Sequence, residues 1–210
     1  MRVCAVLTGR SMAGLREQAY EAKQQGANLV EIRIDRIDDP ENIETIESFP
    51  LPVIVSCVCT KDPDVLNLVK KAMKFKTEFI DLDLGFPKKS LEEIFSYARS
   101  NGISTIVSYY PERFVSPKIL KKVVDDMAVL SKYVKLKLPV KSRKDVDFRE
   151  IYDASSKVGA KISLLNTLEN SYATALERKN FLGYGKLAGD QENKHLTEIG
   201  TIKNRIIGDA

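Results

Sequence analysis

Val30-Glu31-Ile32-Arg33-Ile34-Asp35 alternates apolar and charged residues without a break. In extended backbone successive side chains leave opposite faces, so Val30, Ile32 and Ile34 share one face and Glu31, Arg33 and Asp35 the other. The same split recurs in Ile80-Asp81-Leu82-Asp83-Leu84 and in Val134-Lys135-Leu136-Lys137-Leu138. A strand covered on both faces normally reads as a nearly continuous apolar run. These three carry charge at every second position, and the rest of the chain decides what that means.

Outward from these stretches, short β-branched runs alternate with longer segments of helical apolar spacing. Strands are expected at 2–7, 29–35, 53–58, 79–84, 103–109, 133–138, 161–165 and 181–187. Helices are expected near 11–25, 41–48, 63–75, 89–100, 116–130, 146–158, 168–178 and 192–206. Ser11, Ser90 and the pair Ser116-Pro117 supply helix starts, and Gly26, Gly102 and Gly159 fall where helices should stop. Strand–helix alternation means a parallel sheet, because parallel neighbours need crossovers. An open doubly wound sheet and a closed barrel both satisfy it. Eight units, no linker-like stretch and no glycine-rich phosphate loop after any strand favour the α/β, (β/α)8 TIM barrel, with residues 1–210 as a single domain.

In a barrel the apolar strand faces pack on the helix ring, so the charged faces point inward. Glu31, Asp35, Asp81 and Asp83 then share the interior with Arg33, Lys135 and Lys137. Buried ions cost several kcal/mol each unless compensated, and these nearly balance. Barrel enzymes keep their chemistry at the strand carboxyl ends. Lys135 stands out: aliphatic walls and neighbouring cations disfavour its ammonium, and a neutral amine attacks ketones and aldehydes to form imines. Asp81 and Asp83 pull the other way, and a lysine that simply pairs with them is the competing reading.

Composition narrows the class. The chain has 210 residues, 43% hydrophobic and 30% charged, with net charge +4, one His and no Trp. Cys4, Cys57 and Cys59 are too few for a disulfide framework, and a single His with no spaced Cys pairs does not assemble a zinc shell. No run is long enough for a membrane span and no signal-peptide pattern opens the chain, so a cytoplasmic protein is expected. Lys70-Lys71 and Lys121-Lys122 sit among apolar residues at helical spacing, which reads as solvated helix face rather than a nucleic-acid footprint.

The motifs resemble those of the type I 3-dehydroquinate dehydratases, (β/α)8 barrels that use a Schiff-base lysine. Leu29-Val30-Glu31-Ile32-Arg33-Ile34-Asp35 is similar to the family's strand-2 signature, and Phe79-Ile80-Asp81-Leu82-Asp83 to a strand-4 motif that ends in an acid. Tyr133-Val134-Lys135-Leu136 resembles the segment bearing the imine lysine, Ser142-Arg143-Lys144-Asp145-Val146 the serine-to-aspartate spacing after it, and Ala188-Gly189-Asp190-Gln191 the closing motif. The resemblance implies a carbon–oxygen lyase of the shikimate pathway that converts 3-dehydroquinate to 3-dehydroshikimate. It needs no cofactor and no metal, and a homodimer is common. On it, Lys135 forms the imine, Glu31 and Asp83 orient or protonate it, Arg33 holds Glu31 and Asp83, and Gln191 binds the substrate's polar rim.

The departures are specific. The family's catalytic His, two residues beyond the serine of strand 5, is Tyr110 here; the chain's His195 lies past Gln191 and is expected on a helix surface. An arginine expected at the end of strand 3 aligns with Val58, a second near Thr174, and a serine before the closing motif with Leu187. Tyr110 is then the catalytic relay, and a poor base, since phenol ionises near 10 and imidazole near 6.5. Weak dehydratase activity is one expectation. A degenerate barrel that binds a ligand or partner, and another lysine-imine lyase or aldolase, are the alternatives. The tail Ile206-Ile207-Gly208-Asp209-Ala210 is strand-like and faintly resembles the opening of shikimate dehydrogenase, which is fused to this domain in some organisms.

Overall fold

A computed structural model describes residues 1–58, 64–139, 148–166, 179–194 and 196–207. Cys59, the 142–146 motif, the expected helix at 168–178, Thr174, His195 and Gly208–Ala210 lie outside them. The strands are β1 (Arg2–Val6), β2 (Leu29–Arg33), β3 (Val53–Cys57), β4 (Thr77–Asp83), β5 (Ser104–Tyr109), β6 (Tyr133–Leu138), β7 (Lys161–Asn166), β8 (Leu182–Lys186) and the short β9 (Thr197–Glu198). Between them run α1 (Met12–Gln24), α2 (Val65–Ala72), α3 (Lys88–Ser100), α4 (Pro117–Leu130) and α5 (Phe148–Lys157), and α6 (Ile199–Ile207) follows β9.

All pairings are parallel, in the order β7-β6-β5-β4-β3-β2-β1-β8-β9. The sheet curls until β8 returns against β7, as the (β/α)8 class requires. Side chains help to join this seam. Ser163 Oγ donates to Leu182 O at 3.0 Å and accepts from Leu182 N–H at 3.2 Å. The Asn180 side chain accepts from Leu164 N–H and donates to Leu164 O.

Five expectations are corrected. Strand 2 ends at Arg33, and Ile34–Arg36 turns in a 3-10 helix, so Asp35 does not continue the inward alternation. The expected helix at 41–48 is 3-10 as well: β-branched Ile43, Thr45 and Ile46 disfavour α-turns, and Ile43 and Ile46, three apart, eclipse on one buried face. Ser90 lies inside α3, which starts after Pro87. The last helix begins at Ile199 because Thr197 and Glu198 pair with Gly185 and Lys186 as β9. Ile206 and Ile207 belong to α6 and not to a strand. Ser11 does cap α1, and Gly26, Gly102 and Gly159 take positive φ.

The core has two parts. Val30, Ile32, Ile80, Leu82, Val134 and Leu136 lie in the larger cluster between sheet and helices, as their alternation predicts. A smaller cluster fills the barrel's interior with Cys4, Leu29, Ile54, Phe79, Ile106, Leu182 and Tyr184. Next inward along β2, β4 and β6, after Leu29, Phe79 and Tyr133, come Glu31, Asp81 and Lys135. The interior thus changes from apolar to ionic toward the strand carboxyl ends. Among the described residues no helix is long and apolar enough to cross a membrane.

Candidate active site

Strands of a barrel tilt, so side chains at one height come from alternate strands rather than from hydrogen-bonded neighbours. Glu31 of β2, Asp81 of β4, Lys135 of β6 and Tyr184 of β8 form such a layer. Lys135 Nζ donates to Glu31 Oε2 at 2.7 Å, Glu31 Oε1 at 2.9 Å and Asp81 Oδ2 at 2.9 Å. The Tyr184 ring faces the same nitrogen, its centroid 4.4 Å away. All four residues are buried.

The tilt also corrects the pairing expected for Asp83. Its backbone is in register with Ser108, and Ser108 with Lys135, yet the lysine reaches Asp81. Asp83 instead accepts from Gly85 N–H at 2.6 Å and shapes the turn after β4. Burial raises its carboxyl above the ordinary range, against the pull of Gly85 N–H and Arg33.

Burial works against the charge on Lys135, but Asp81 and Glu31, with Tyr110 and Tyr184, hold its ammonium well above the ordinary lysine range. The acids win the contest that the sequence left open. Asp81, fully enclosed, is pushed upward by desolvation despite the lysine. Lys137 behaves oppositely: half-buried and with no ion pair among the described residues, it is lowered by burial and by the like charges of Lys135 and Arg33.

Above this layer a cavity of about 400 Å³ opens among the carboxyl ends of the strands. Lys135, Glu31 and Tyr184 lie at its floor; Arg33, Lys137 and Tyr110 stand higher in its wall. Arg33 does not grip Glu31 or Asp83. The turn after β2 brings Asp35 back to it, and the guanidinium donates to both carboxylate oxygens at 2.8 and 2.5 Å. Tyr110, in the wall, has its ring centroid 5.8 Å from Lys135 Nζ. Burial and the charge of Asp81 raise its phenol, so it keeps its proton.

Gln191 is not among the described residues lining this cavity. It is exposed, and its Nε2 donates to Gly189 O at 3.2 Å. Asp190 Oδ1 accepts from Glu192 N–H at 2.8 Å, a turn that directs Glu192 and Asn193 to the cavity and leaves Gln191 outside. Val58 lines the mouth, where an arginine was expected. Among the described residues no group of three or more His, Cys, Asp or Glu is set to hold a metal ion.

Sequence reasoning set Asp81 beside Asp83 as a carboxylate near the lysine but, of the two, gave the orienting role to Asp83, and it missed Tyr184 altogether. The signal for Tyr184 was Leu182-Gly183-Tyr184-Gly185-Lys186, where large and small residues alternate with strand period. The glycines face outward under α6: a Cβ on Gly185 would stand 2.8 Å from Ile202 Cδ1. The tyrosine therefore points inward.

A protein-family model described as type I 3-dehydroquinase matches residues 3–160. A curated 3-dehydroquinate dehydratase from Desulfotalea psychrophila is 29% identical over 123 residues, 52% of this chain and 54% of that protein. The matched stretch thus spans about half the length of that relative. Among solved structures, 3-dehydroquinate dehydratase from Geobacillus kaustophilus superposes with a TM-score of 0.85 at 14% identity, covering 98% of this chain and 89% of its own. Type I 3-dehydroquinate dehydratase from Clostridium difficile, with covalently modified comenic acid, gives 0.80 at 15%, covering 98% and 90%. At these identities the structural likeness shows the fold.

Proposed function

Because the chain belongs to the type I 3-dehydroquinase family, we propose that it is a carbon–oxygen lyase converting 3-dehydroquinate to 3-dehydroshikimate through an imine on Lys135. The observation that carries this reading is one enclosed amine, held between Glu31 and Asp81 at the floor of a cavity at the strand carboxyl ends.

The chemistry follows from the arrangement. Lys135 rests as an ammonium and must give up a proton before it attacks; Asp81, its own carboxyl raised, is the acceptor at 2.9 Å. The amine then condenses with the substrate ketone, and the iminium draws electrons from the neighbouring carbon, so that its proton passes to the Glu31 carboxylate in the cavity floor. Hydroxide leaves as water with the proton that Tyr110 donates, and Glu31 returns its proton to Tyr110. Glu31 keeps the nitrogen in place through both oxygens. Arg33, oriented by Asp35, and Lys137 present positive charge to the carboxylate and hydroxyls of a substrate in the cavity. Tyr110 stands where the family resemblance puts the relay and serves as a proton donor, because a phenol that keeps its proton is a weak base. Gln191 reaches the substrate's rim only by leaving Gly189 O. Asp83 acts at one remove, by fixing the turn at Gly85.

The test is direct turnover. Purified protein given 3-dehydroquinate should produce the ultraviolet absorbance of a conjugated enone, and Lys135→Ala should abolish it. Equal rates for the two proteins, or no product at saturating substrate, contradict the reading.

A further inference from the structure

The ionic layer has a fourth member that the reaction as written leaves idle. Tyr184 is 7% exposed, and its hydroxyl has no hydrogen-bond partner among the described residues. A buried hydroxyl left unpaired is costly, and folded proteins seldom retain one without use. This one belongs to a side chain that lines the cavity and whose ring stands 4.4 Å from Lys135 Nζ. The free protein thus keeps an unused polar group beside the one atom where bonds are to be made.

We propose that Tyr184 is the acid that protonates the oxygen expelled when Lys135 forms its imine. The inference rests on the imine reading above. Once the Lys135 nitrogen has added to a ketone carbon, the former carbonyl oxygen has taken a proton from that nitrogen as a neutral carbinolamine hydroxyl. The Tyr184 proton passes to that hydroxyl, the carbon–oxygen bond breaks with its electron pair on the departing water, and the nitrogen lone pair closes the C=N bond. The result is an iminium cation beside a tyrosinate, an ion pair in the place where ring and ammonium already face each other. When water later attacks the imine carbon to release product, it returns one proton to the tyrosinate, and the cycle balances. Burial, chiefly, raises the phenol well above the ordinary tyrosine range, and the cation on the Lys135 nitrogen, facing the ring at 4.4 Å, works against that and favours release of the proton.

The division of labour with Tyr110 gives the test. Protein mixed with 3-dehydroquinate is quenched with borohydride after increasing delays, and the Lys135 adduct is followed by mass. Tyr184→Phe should slow adduct formation by about 100-fold with KM little changed, the usual contribution of one positioned acid. Tyr110→Phe should form the adduct at nearly the wild-type rate and lose turnover afterwards. Adduct formation by Tyr184→Phe at the wild-type rate overturns the assignment. If wild-type protein gives no adduct with 3-dehydroquinate, the dehydratase reading fails by itself, and the comparison is repeated with hydroxyacetone as the ketone. A slowed Tyr184→Phe there supports the assignment; an unslowed one, or a Lys135 that labels with neither ketone, overturns it.

Discussion

Lys135 and Glu31 stand 104 residues apart in the chain and meet through both carboxylate oxygens, at 2.7 and 2.9 Å. Both side chains are 4% exposed. The contact exists because β2 and β6 belong to the same set of alternate strands, whose side chains share one height in the barrel. It also sets the resting state of the nucleophile: an ammonium with its three N–H groups used, two by Glu31 and one by Asp81.

Removing the lysine leaves those acids buried without a counter-ion. Lys135→Met should therefore lose about 3–5 kcal/mol at neutral pH, read by urea unfolding. The lysine is held above its ordinary value of 10.5, so its stabilisation is complete below that pH and fades as pH rises through the folded-state value. Wild-type stability should fall on that alkaline limb, and the variant's deficit should narrow there.

Tyr184→Phe should stabilise the fold while slowing the reaction. It deletes a buried hydroxyl that has no partner among the described residues, and leaving such a group unpaired costs about 1–3 kcal/mol. A rise in the denaturation midpoint together with a fall in turnover marks a group kept for chemistry; a fall in both marks a packing role.

Tyr110→His tests the relay. Imidazole takes and gives protons near neutrality and the enclosed phenol does not. The variant should raise kcat by about 100-fold, the lower end of what general acid–base catalysis contributes. It should also introduce a pH limb between about 6 and 7, where imidazole ionises. An unchanged kcat and a flat profile contradict the role given to this position.

Asp35→Asn loosens Arg33 without touching the imine machinery. The bidentate pair fixes the guanidinium plane, and charge-assisted bonds of this kind are worth about 1.5–3 kcal/mol. KM for 3-dehydroquinate should rise about tenfold or more at nearly constant kcat. A loss confined to kcat places Arg33 in the chemistry rather than in binding.

The eight main strands were legible because β-branched alternation survives tertiary packing; each ends within two residues of its expected bounds. So was the inward direction of Glu31 and Lys135, since clean apolar partners such as Ile32 and Leu136 left the charged face nowhere else to go. What the sequence hid was height. Alternation says which side of a strand a residue is on, and the choice of Asp81 over Asp83 depends on strand tilt. Asp35 was misplaced because no residue type marks the 3-10 turn at Ile34, and Gln191 because the turn at Asp190 is made by a side chain. Tyr184 escaped because a tyrosine between glycines reads as packing until its buried hydroxyl is seen to have no hydrogen-bond partner among the described residues.

Lys137 gives the decisive comparison, because it lines the same cavity and is the amine whose proton is the more easily lost. Wild-type protein reduced with borohydride in the presence of 3-dehydroquinate, then digested and mapped by mass, separates the two lysines. A single substrate-derived adduct on Lys135 is the expected result. An adduct on Lys137 instead, or none on either lysine at saturating substrate, contradicts it.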